Sequence, residues 1–283
     1  LYQWLSGSSP STILNRSKMT KRKNKAPSSP LVELVQSRRL LWQFSVRNLE
    51  LRHKGTVLGL FWSLLGPLLM LSLYVLVFGI IFGGKLNESA ETETKIEYAL
   101  GIFLGLAIHH FVAEVLTISP TAIITNPNFV KKVVFPTSVL PVTTVSGALV
   151  HFLISLLLIF VGMLIFGLEI QWSLMVWLPV ILIPLVIAAV GISLGLAAVT
   201  IFWRDILQIA PFLSLALLFA SAVFYPVAQI PEQAWVFLKF NPLIHWIEES
   251  RKVVFWGEAP NTNHLVYLYV IAGLSLLFGT LIF

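Results

Sequence analysis

Six long apolar stretches dominate the pattern of hydrophobic and polar positions, and most charged residues lie between them. The stretches cover residues 57–82, 96–118, 139–166, 174–202, 206–227 and 265–283. A helix needs about 20 apolar residues to cross about 30 Å of hydrocarbon, and a soluble core helix seldom reaches that length without a charged face. The pattern therefore predicts an all-α membrane protein with six transmembrane helices.

The segment before the first apolar stretch mixes apolar and polar positions at helical spacing. Its polar positions share one helical face: Gln43, Arg47, Glu50 and Lys54. We predict an amphipathic helix over residues 31–54 along the cytoplasmic membrane surface, although a simple surface anchor fits the same pattern. Residues 1–30 are rich in Ser, Pro, Lys and Arg, and we expect a disordered basic tail or a cloning remnant there, with Met19 as a candidate native start. Residues 55–283 then form the membrane domain.

The composition supports this class, because 57% of the 283 residues are hydrophobic, 11% are charged and the mean hydropathy is +0.86. With the N-terminus placed inside, 14 Lys and Arg residues fall on the inner side of the predicted membrane and 5 on the outer side. Positively charged loops are retained in the cytoplasm, so both termini are predicted to be cytoplasmic. The sequence has no cysteine, which excludes a disulfide framework, a thiolate metal site and a thiol nucleophile.

A short polar segment between the second and third apolar stretches is a candidate docking element. Pro127 and Pro136 bracket Lys131 and Lys132 there, and this pattern predicts one or two helical turns that project both lysines into the cytoplasm. A lysine pair at a membrane boundary is also a common topology signal, and that simpler interpretation stays open.

The turn between the fourth and fifth apolar stretches is very short, so the helices on either side must be antiparallel neighbours. Its charged residues, Arg204 and Asp205, can pair with each other, cap the following helix or bind a partner. Capping is the simplest of these roles and the one we expect.

The stretch 224–257 is too broken and too charged to form a clean span. Prolines interrupt it, and aromatic residues are frequent, beginning with Phe224 and Tyr225. Irregular backbone survives at membrane depth only against protein or water. We therefore predict two short re-entrant helices, divided near Asn241 and Pro242, that enter the outer leaflet and line an exit pathway.

Motifs for enzymatic chemistry are weak. Residues 79–86 match G-x-x-x-x-G-K, but Leu86 replaces the Ser or Thr that would hold magnesium, so the chain is not expected to hydrolyse ATP by itself. The candidates for metal binding or catalysis within the second and third apolar stretches are His109, His110, Glu114 and His151. Adjacent histidines point about 100° apart on a helix, which favours polar contacts between helices over a metal or catalytic site.

Large side chains, with one glycine among them, recur every four residues along the first apolar stretch and form a stripe that drifts slowly around the helix. The stripe consists of Trp62, Gly66, Met70, Tyr74, Phe78 and Phe82. Aromatic faces can stack on sugar rings without requiring a fixed set of hydrogen-bond partners, which suits a polymer that moves past a site. Packing against neighbouring helices or lipid is the alternative interpretation.

Residues 51–67, which read LRHKGTVLGLFWSLLGP, resemble the start of the first span in permeases of type-2 ABC exporters. The resemblance is to the branch that exports O-antigen, capsule and teichoic-acid polymers, where the pattern is similar to R-Y-R-G-S-x-L-G-x-x-W-x-x-x-x-P. His53 replaces the usual aromatic residue. Further segments resemble the same branch in the same order: residues 126–141, Arg204-Asp205, Tyr225-Pro226 and Asn241-Pro242.

The resemblance implies a six-span half-transporter that forms a homodimer in the bacterial inner membrane, recruits two copies of a cytoplasmic ATPase and moves a polyprenyl-linked polysaccharide. It implies no cofactor bound by this chain, because ATP and Mg belong to the ATPase. Carried over by position, it assigns ATPase coupling to Arg52, Lys54, Asn128, Phe129, Lys131, Lys132, Phe135, Arg204 and Asp205. It places the substrate channel at Trp62, Met70, Tyr74, Phe78, Phe224 and Tyr225.

Two other function classes stay open. A type-2 ABC permease for a drug, haem or a lipid would share the architecture and differ in cargo. An autonomous membrane enzyme or channel would act without an ATPase partner. The broken aromatic segment and the surface helix favour polymer export over both.

Overall fold

The computed structural model describes residues 29–52, 58–82, 84–86, 93–131 and 135–283, and the regular secondary structure of these residues is entirely helical. The α-helices of this part of the chain are α1 (Pro30–Gln36), α2 (Arg38–Arg52), α3 (Trp62–Tyr74), α4 (Lys95–Ile118), α5 (Pro127–Lys131), α6 (Val139–Ile165), α7 (Trp172–Met175), α8 (Trp177–Phe202), α9 (Ile206–Ala220), α10 (Glu232–Leu238), α11 (Pro242–Arg251) and α12 (Thr262–Ile282). The predicted all-α class is confirmed. The predicted N-terminal tail lies almost entirely outside the described residues.

Several helices are suited to crossing a membrane. Within the described residues, four are long and apolar enough: Lys95–Thr121, Val139–Ile165, Trp172–Phe202 and Thr262–Ile282. Two shorter apolar helices, Trp62–Phe78 and Ile206–Ala220, lie where the sequence predicts the first and fifth spans. A π-helical stretch, Val75–Phe82, prolongs the first of these. The protein is therefore a multi-pass membrane protein, and the count of six spans stays a prediction.

The fifth predicted span ends earlier than its apolar pattern indicates. Helix α9 stops at Ala220, and residues 221–225 form a turn instead of continuing the helix to Val227. Ala222 has a φ of 52°, a left-handed conformation that residues with a Cβ seldom adopt. The predicted boundary at Val227 is wrong, because apolar residues in the turn extend the hydropathy pattern without extending the helix.

Helix α4 lies at the centre of the described fold, where it contacts α3, α6, α8, α9 and α11. It begins with a capping box, in which the amide of Glu97 donates to the Thr94 hydroxyl and the amide of Thr94 donates to the Glu97 carboxylate. Every residue from Tyr98 to His109 is buried. A helix enclosed on all faces in this way fixes the positions of the helices around it.

Helices α8 and α12 form the most extensive helix pair of the described residues. Their backbones meet at Gly191 and Gly279, where a Cβ on Gly279 would lie only 2.7 Å from the carbonyl carbon of Gly191. Nearby, the Ser275 hydroxyl donates to the carbonyl of Ala188 across 2.9 Å. Small residues and interhelical hydrogen bonds of this kind hold helices together in lipid, where burial of apolar surface gives little driving force.

Candidate functional site

A three-ring cluster joins α2 to the segment that contains α5. The centroid of the Phe44 ring lies 5.3 Å from that of Phe129 and 5.1 Å from that of Phe135, and the last two are 5.2 Å apart. These separations lie within the range of favourable aromatic pairs. The three rings therefore connect α5 and the chain after it directly to α2.

The predicted ATPase-coupling residues of this segment divide into outward and inward positions. Asn128 is exposed on α5, whereas Phe129 and Phe135 are half-buried in the three-ring cluster. The two phenylalanines thus bind α5 and the chain after it to α2, behind the surface that a partner would touch. Lys54 and Lys132 lie outside the described residues, and the side chains of Arg52 and Lys131 are likewise outside the described part of the structure.

The other predicted coupling residues lie in the exposed turn between α8 and α9. The indole nitrogen of Trp203 donates to the Asp205 carboxylate across 3.0 Å. Asp205 occupies the N-cap position of α9, but its side chain accepts no capping hydrogen bond. The predicted capping role is therefore wrong, and Trp203, Arg204 and Asp205 all remain at the surface of the turn.

An aromatic ladder runs from α3 to the turn after α9. The ring of Tyr74 stacks near Phe78 with centroids 5.8 Å apart, and Phe78 stacks on Phe224 at 5.5 Å with an angle of 19° between the rings. Phe219 continues the series at 6.5 Å from Phe224, and Tyr98 contacts Phe78 edge-on at 6.4 Å. We call Tyr74, Phe78, Phe224 and Phe219 the aromatic ladder. It unites three of the predicted channel residues.

The remaining predicted channel residues lie beside the ladder. Trp62 and Met70 join Tyr74 in lining a cavity of about 500 Å³ between α3, α4 and α6. Tyr225 holds the turn in place, because its hydroxyl donates to the carbonyl of Phe219 across 2.6 Å. Tyr74 therefore connects two neighbouring features, the ladder and the cavity.

Polar residues of the second and third apolar stretches make contacts between helices, as the sequence predicts. The Glu114 carboxylate of α4 lies 3.2 Å from Nδ1 of His151 on α6. The imidazole of His109 contacts the carbonyl of Ser214 on α9 at 3.0 Å. His110 lies on the cavity wall. Within the described residues, no three His, Asp or Glu side chains converge in a way that would hold a metal ion.

The segment that the sequence predicts at the outer face consists of two short helices, α10 and α11, divided near Asn241 and Pro242 as predicted, and we call it the outer segment. The Asn241 side chain accepts from the amide of Leu243 and so caps α11. Its amide group also donates to the carbonyl of Ala220 at 2.9 Å and to the hydroxyl of Ser221 at 3.0 Å. The beginning of α11 is thereby fastened to the end of α9.

The end of α11 is fastened by Arg251, whose side chain is completely buried. Its guanidinium donates to the carbonyls of Gly101 at 3.1 Å, Ala222 at 2.9 Å and Val223 at 2.6 Å. Burial lowers the pKa of Arg251 to about 10, so the group stays protonated at neutral pH. Arg251 therefore links α11 to α4 and to the turn after α9.

A second buried network follows on α11. The Glu249 carboxylate, which has no accessible surface, lies 2.6 Å from Nδ1 of His264 and 3.1 Å from Nζ of Lys252. It also accepts from the amide of Asn261 across 2.8 Å. The His264 ring packs on His245 with centroids 4.5 Å apart. The end of α11 is thus tied to the start of α12 by a buried network of hydrogen bonds.

Comparison with known families identifies the class of transporter. The family model described as ABC-2 type transporter matches residues 39–255. The chain belongs to the ABC-2 type transporter family. The resemblance to type-2 ABC permeases that the sequence predicts is confirmed by this match.

Several curated proteins are similar to this ABC-2 type transporter over most of their length. An O-antigen export system permease protein RfbA from Klebsiella pneumoniae is 27% identical over 245 residues, which cover 86% of this chain and 90% of that protein. A protein of the same name from Myxococcus xanthus is 26% identical over 242 residues, or 85% and 89% of the two chains. The polysialic acid transport protein KpsM from Escherichia coli is 25% identical over 244 residues, or 83% and 88%.

The ABC-2 match covers all of the predicted site residues and two that sequence reasoning missed as site elements, Phe44 and Arg251. Phe44 reads as one more apolar position of an amphipathic helix, and its ring partners are more than 80 residues away along the chain. Arg251 reads as an outer-loop charge. Its one signal is its place in a predicted re-entrant helix, since a charge at membrane depth must be buried against protein.

Proposed function

We propose that this protein is the permease subunit of an ABC exporter that moves lipid-linked polysaccharide, such as O-antigen, capsule or teichoic acid, across the bacterial plasma membrane. The relatives named for O-antigen export and polysialic acid transport support this cargo class. The observation that carries the proposal is the aromatic ladder, because its rings contact one another in series from α3 to the turn after α9. A continuous aromatic wall of this kind offers apolar contact to sugar units of different linkage along one path.

The proposed energy source is a separate cytoplasmic ATPase that binds ATP and Mg. Two copies of it would serve a homodimer of this permease, with both permease termini in the cytoplasm. The three-ring cluster supports this scheme, since pressure on α5 reaches α2 through Phe129 and Phe44. Closure of the ATPase dimer would then shift the two permeases between states that differ in access to the polymer path.

The test of the cargo is surface labelling of polysaccharide in a strain that lacks this permease but retains its ATPase. The expected result is loss of surface polymer and accumulation of lipid-linked polymer inside, both reversed by the intact gene. Unchanged surface polymer, in a strain with no second permease for it, would contradict polysaccharide export. A drug, haem or lipid cargo would then be tested by the same comparison of cells with and without the gene.

The test of the coupling assignment is replacement of Lys131 and Lys132 by Glu. We expect the ATPase to be lost on co-purification, because the reversal places acidic side chains where the partner is expected to dock. A matched control replaces Lys95 and Lys239, which are exposed on the predicted outer side, by Glu. Retention of the ATPase by the Lys131 and Lys132 variant, at a level equal to the control, would contradict the assignment.

A further inference from the structure

The cavity between α3, α4 and α6 has the features of a ligand site. Its volume of about 500 Å³ falls within the usual range of small-molecule pockets, which is about 300–1,000 Å³. Trp62 and Tyr74 give it ring faces from α3. Polar side chains converge on it from α4 and α6: His110, Glu114, Thr117, His151 and Ser155. A mostly apolar pocket with a few converging polar groups is typical of specific binding.

Four of these polar residues form two pairs, each spanning one helical turn. His110 and Glu114 are four residues apart on α4, and His151 and Ser155 have the same spacing on α6, so each pair shares a face. The 3.2 Å contact between Glu114 and His151 joins the pairs. Both side chains keep some accessible surface, 19% for Glu114 and 27% for His151, so a ligand can reach them. Ionisable groups within spans are costly and mark functional sites by default.

The donor set selects the chemistry of the ligand. A carboxylate only accepts hydrogen bonds, whereas a neutral imidazole both donates and accepts, and a hydroxyl group requires partners of both kinds. Glu114, His151 and Ser155 together offer acceptors and donors of both kinds from two neighbouring helices. The site therefore suits a hydroxyl-rich ligand.

We propose that this cavity binds a sugar unit of the polymer during transport. Glu114 and His151 hydrogen-bond the sugar hydroxyls, and Trp62 stacks on the ring. The inference rests on the proposed function and adds to it a hydrogen-bonding site beside the aromatic ladder. Tyr74 lines the cavity and begins the ladder, so a sugar leaving the cavity meets the ladder directly.

The first test is photo-crosslinking in cells that export metabolically labelled polymer through the complete permease and ATPase. Benzoylphenylalanine replaces Trp62 in one strain and Phe278, an exposed residue on α12, in a control strain. We expect an adduct between permease and polymer at position 62 that is at least fivefold stronger than at position 278. Equal or absent labelling at position 62 in an exporting strain would overturn the proposal.

The second test adds Glu114→Gln to the position 62 strain. We expect at least a fivefold loss of adduct and of surface polymer per permease molecule in the membrane. The matched control is His109→Gln on the same helix, since His109 contacts α9 and does not line the cavity. We expect that control to retain the adduct.

The outcomes of the second test separate binding from structure. A purely structural role for Glu114 would lower the permease level and leave the adduct per molecule unchanged, and that result would overturn the proposal. The deletion strain is a separate readout. If its surface polymer is unchanged, the proposed function fails and this inference fails with it. If its surface polymer is lost while Glu114→Gln keeps its adduct, only this inference fails.

Discussion

Replacing Gly279 by Ala should push α8 and α12 apart. These helices form the most extensive pair in the described structure, and their backbones meet at Gly279 and Gly191. A Cβ at position 279 would lie 2.7 Å from the carbonyl carbon of Gly191, whereas ordinary contacts begin at 3.4 Å. The carbonyl oxygen of Gly191 would lie closer still, so the two backbones must separate, and no flexible side chain can move aside, because the contact is with backbone atoms.

The expected cost exceeds the gain in helix propensity. Overpacking of a close contact costs typically about 1–3 kcal/mol. Alanine in a helix interior is better than glycine by about 1 kcal/mol at most. A methyl group added to Gly273 on the same helix would meet no other helix of the described structure within 4 Å, so Gly273→Ala gains the propensity without the clash. The two substitutions should therefore change the stability of the protein in different directions. Gly279→Ala should destabilise it, and Gly273→Ala should be neutral or stabilising.

The difference in stability is measured by heating the purified permease. Loss of the monodisperse peak on size-exclusion chromatography reports how much of it has melted at each temperature. Each kcal/mol of lost unfolding free energy lowers the melting temperature by roughly 2–4 °C for a domain of this size. We expect Gly279→Ala to melt several degrees below the parent protein and Gly273→Ala at or above it. Equal melting temperatures for the two variants would refute the reasoning, because they would show that α12 can move away from α8 at no cost.

Three further substitutions test the described contacts. Phe78→Ala, which removes the middle of the aromatic ladder, should reduce export more than ATP turnover. Export equal to that of the parent would show that the ladder has only a packing role. Phe44→Ala should reduce export while ATP hydrolysis continues, whereas Trp42→Ala, at an exposed position on the same helix, should change neither activity. Export by the Phe44 variant equal to that of the Trp42 variant would contradict the role of the three-ring cluster. Arg251→Lys keeps the charge but cannot reach three carbonyls, so it should destabilise the protein by about 3 kcal/mol in melting experiments, and an unchanged melting temperature would show that the buried bonds are not needed.

The long helices were predictable because lipid imposes one simple rule on the sequence. Helices α6 and α8 lie at their predicted positions, since about 20 apolar residues in a row have few other structures open to them in a membrane. The end of α9 was not predictable by that rule. Phe224 and Val223 are as apolar as the helix before them, so the left-handed turn at Ala222 does not interrupt the hydropathy pattern of the sequence.

The candidate site was predictable in its residue types and not in its pairings. The four-residue spacing on α3 identified Tyr74 and Phe78, because it depends only on helix geometry. That Phe78 stacks on Phe224 depends on how α3 and α9 pack against α4, which no local pattern contains. The same holds for Glu114, whose partner on α6 became visible only through the packing of two helices.

Helix α11 is held at both of its ends by the turn after α9. Asn241 binds Ala220 and Ser221, and Arg251 binds the two residues that follow them. That turn closes α9, and the other end of α9 starts at the exposed residues beside Asp205. With 15 residues, α9 is about 22 Å long. A movement of the exposed turn at Asp205 therefore reaches α11 through one helix, with no intervening loop to absorb it.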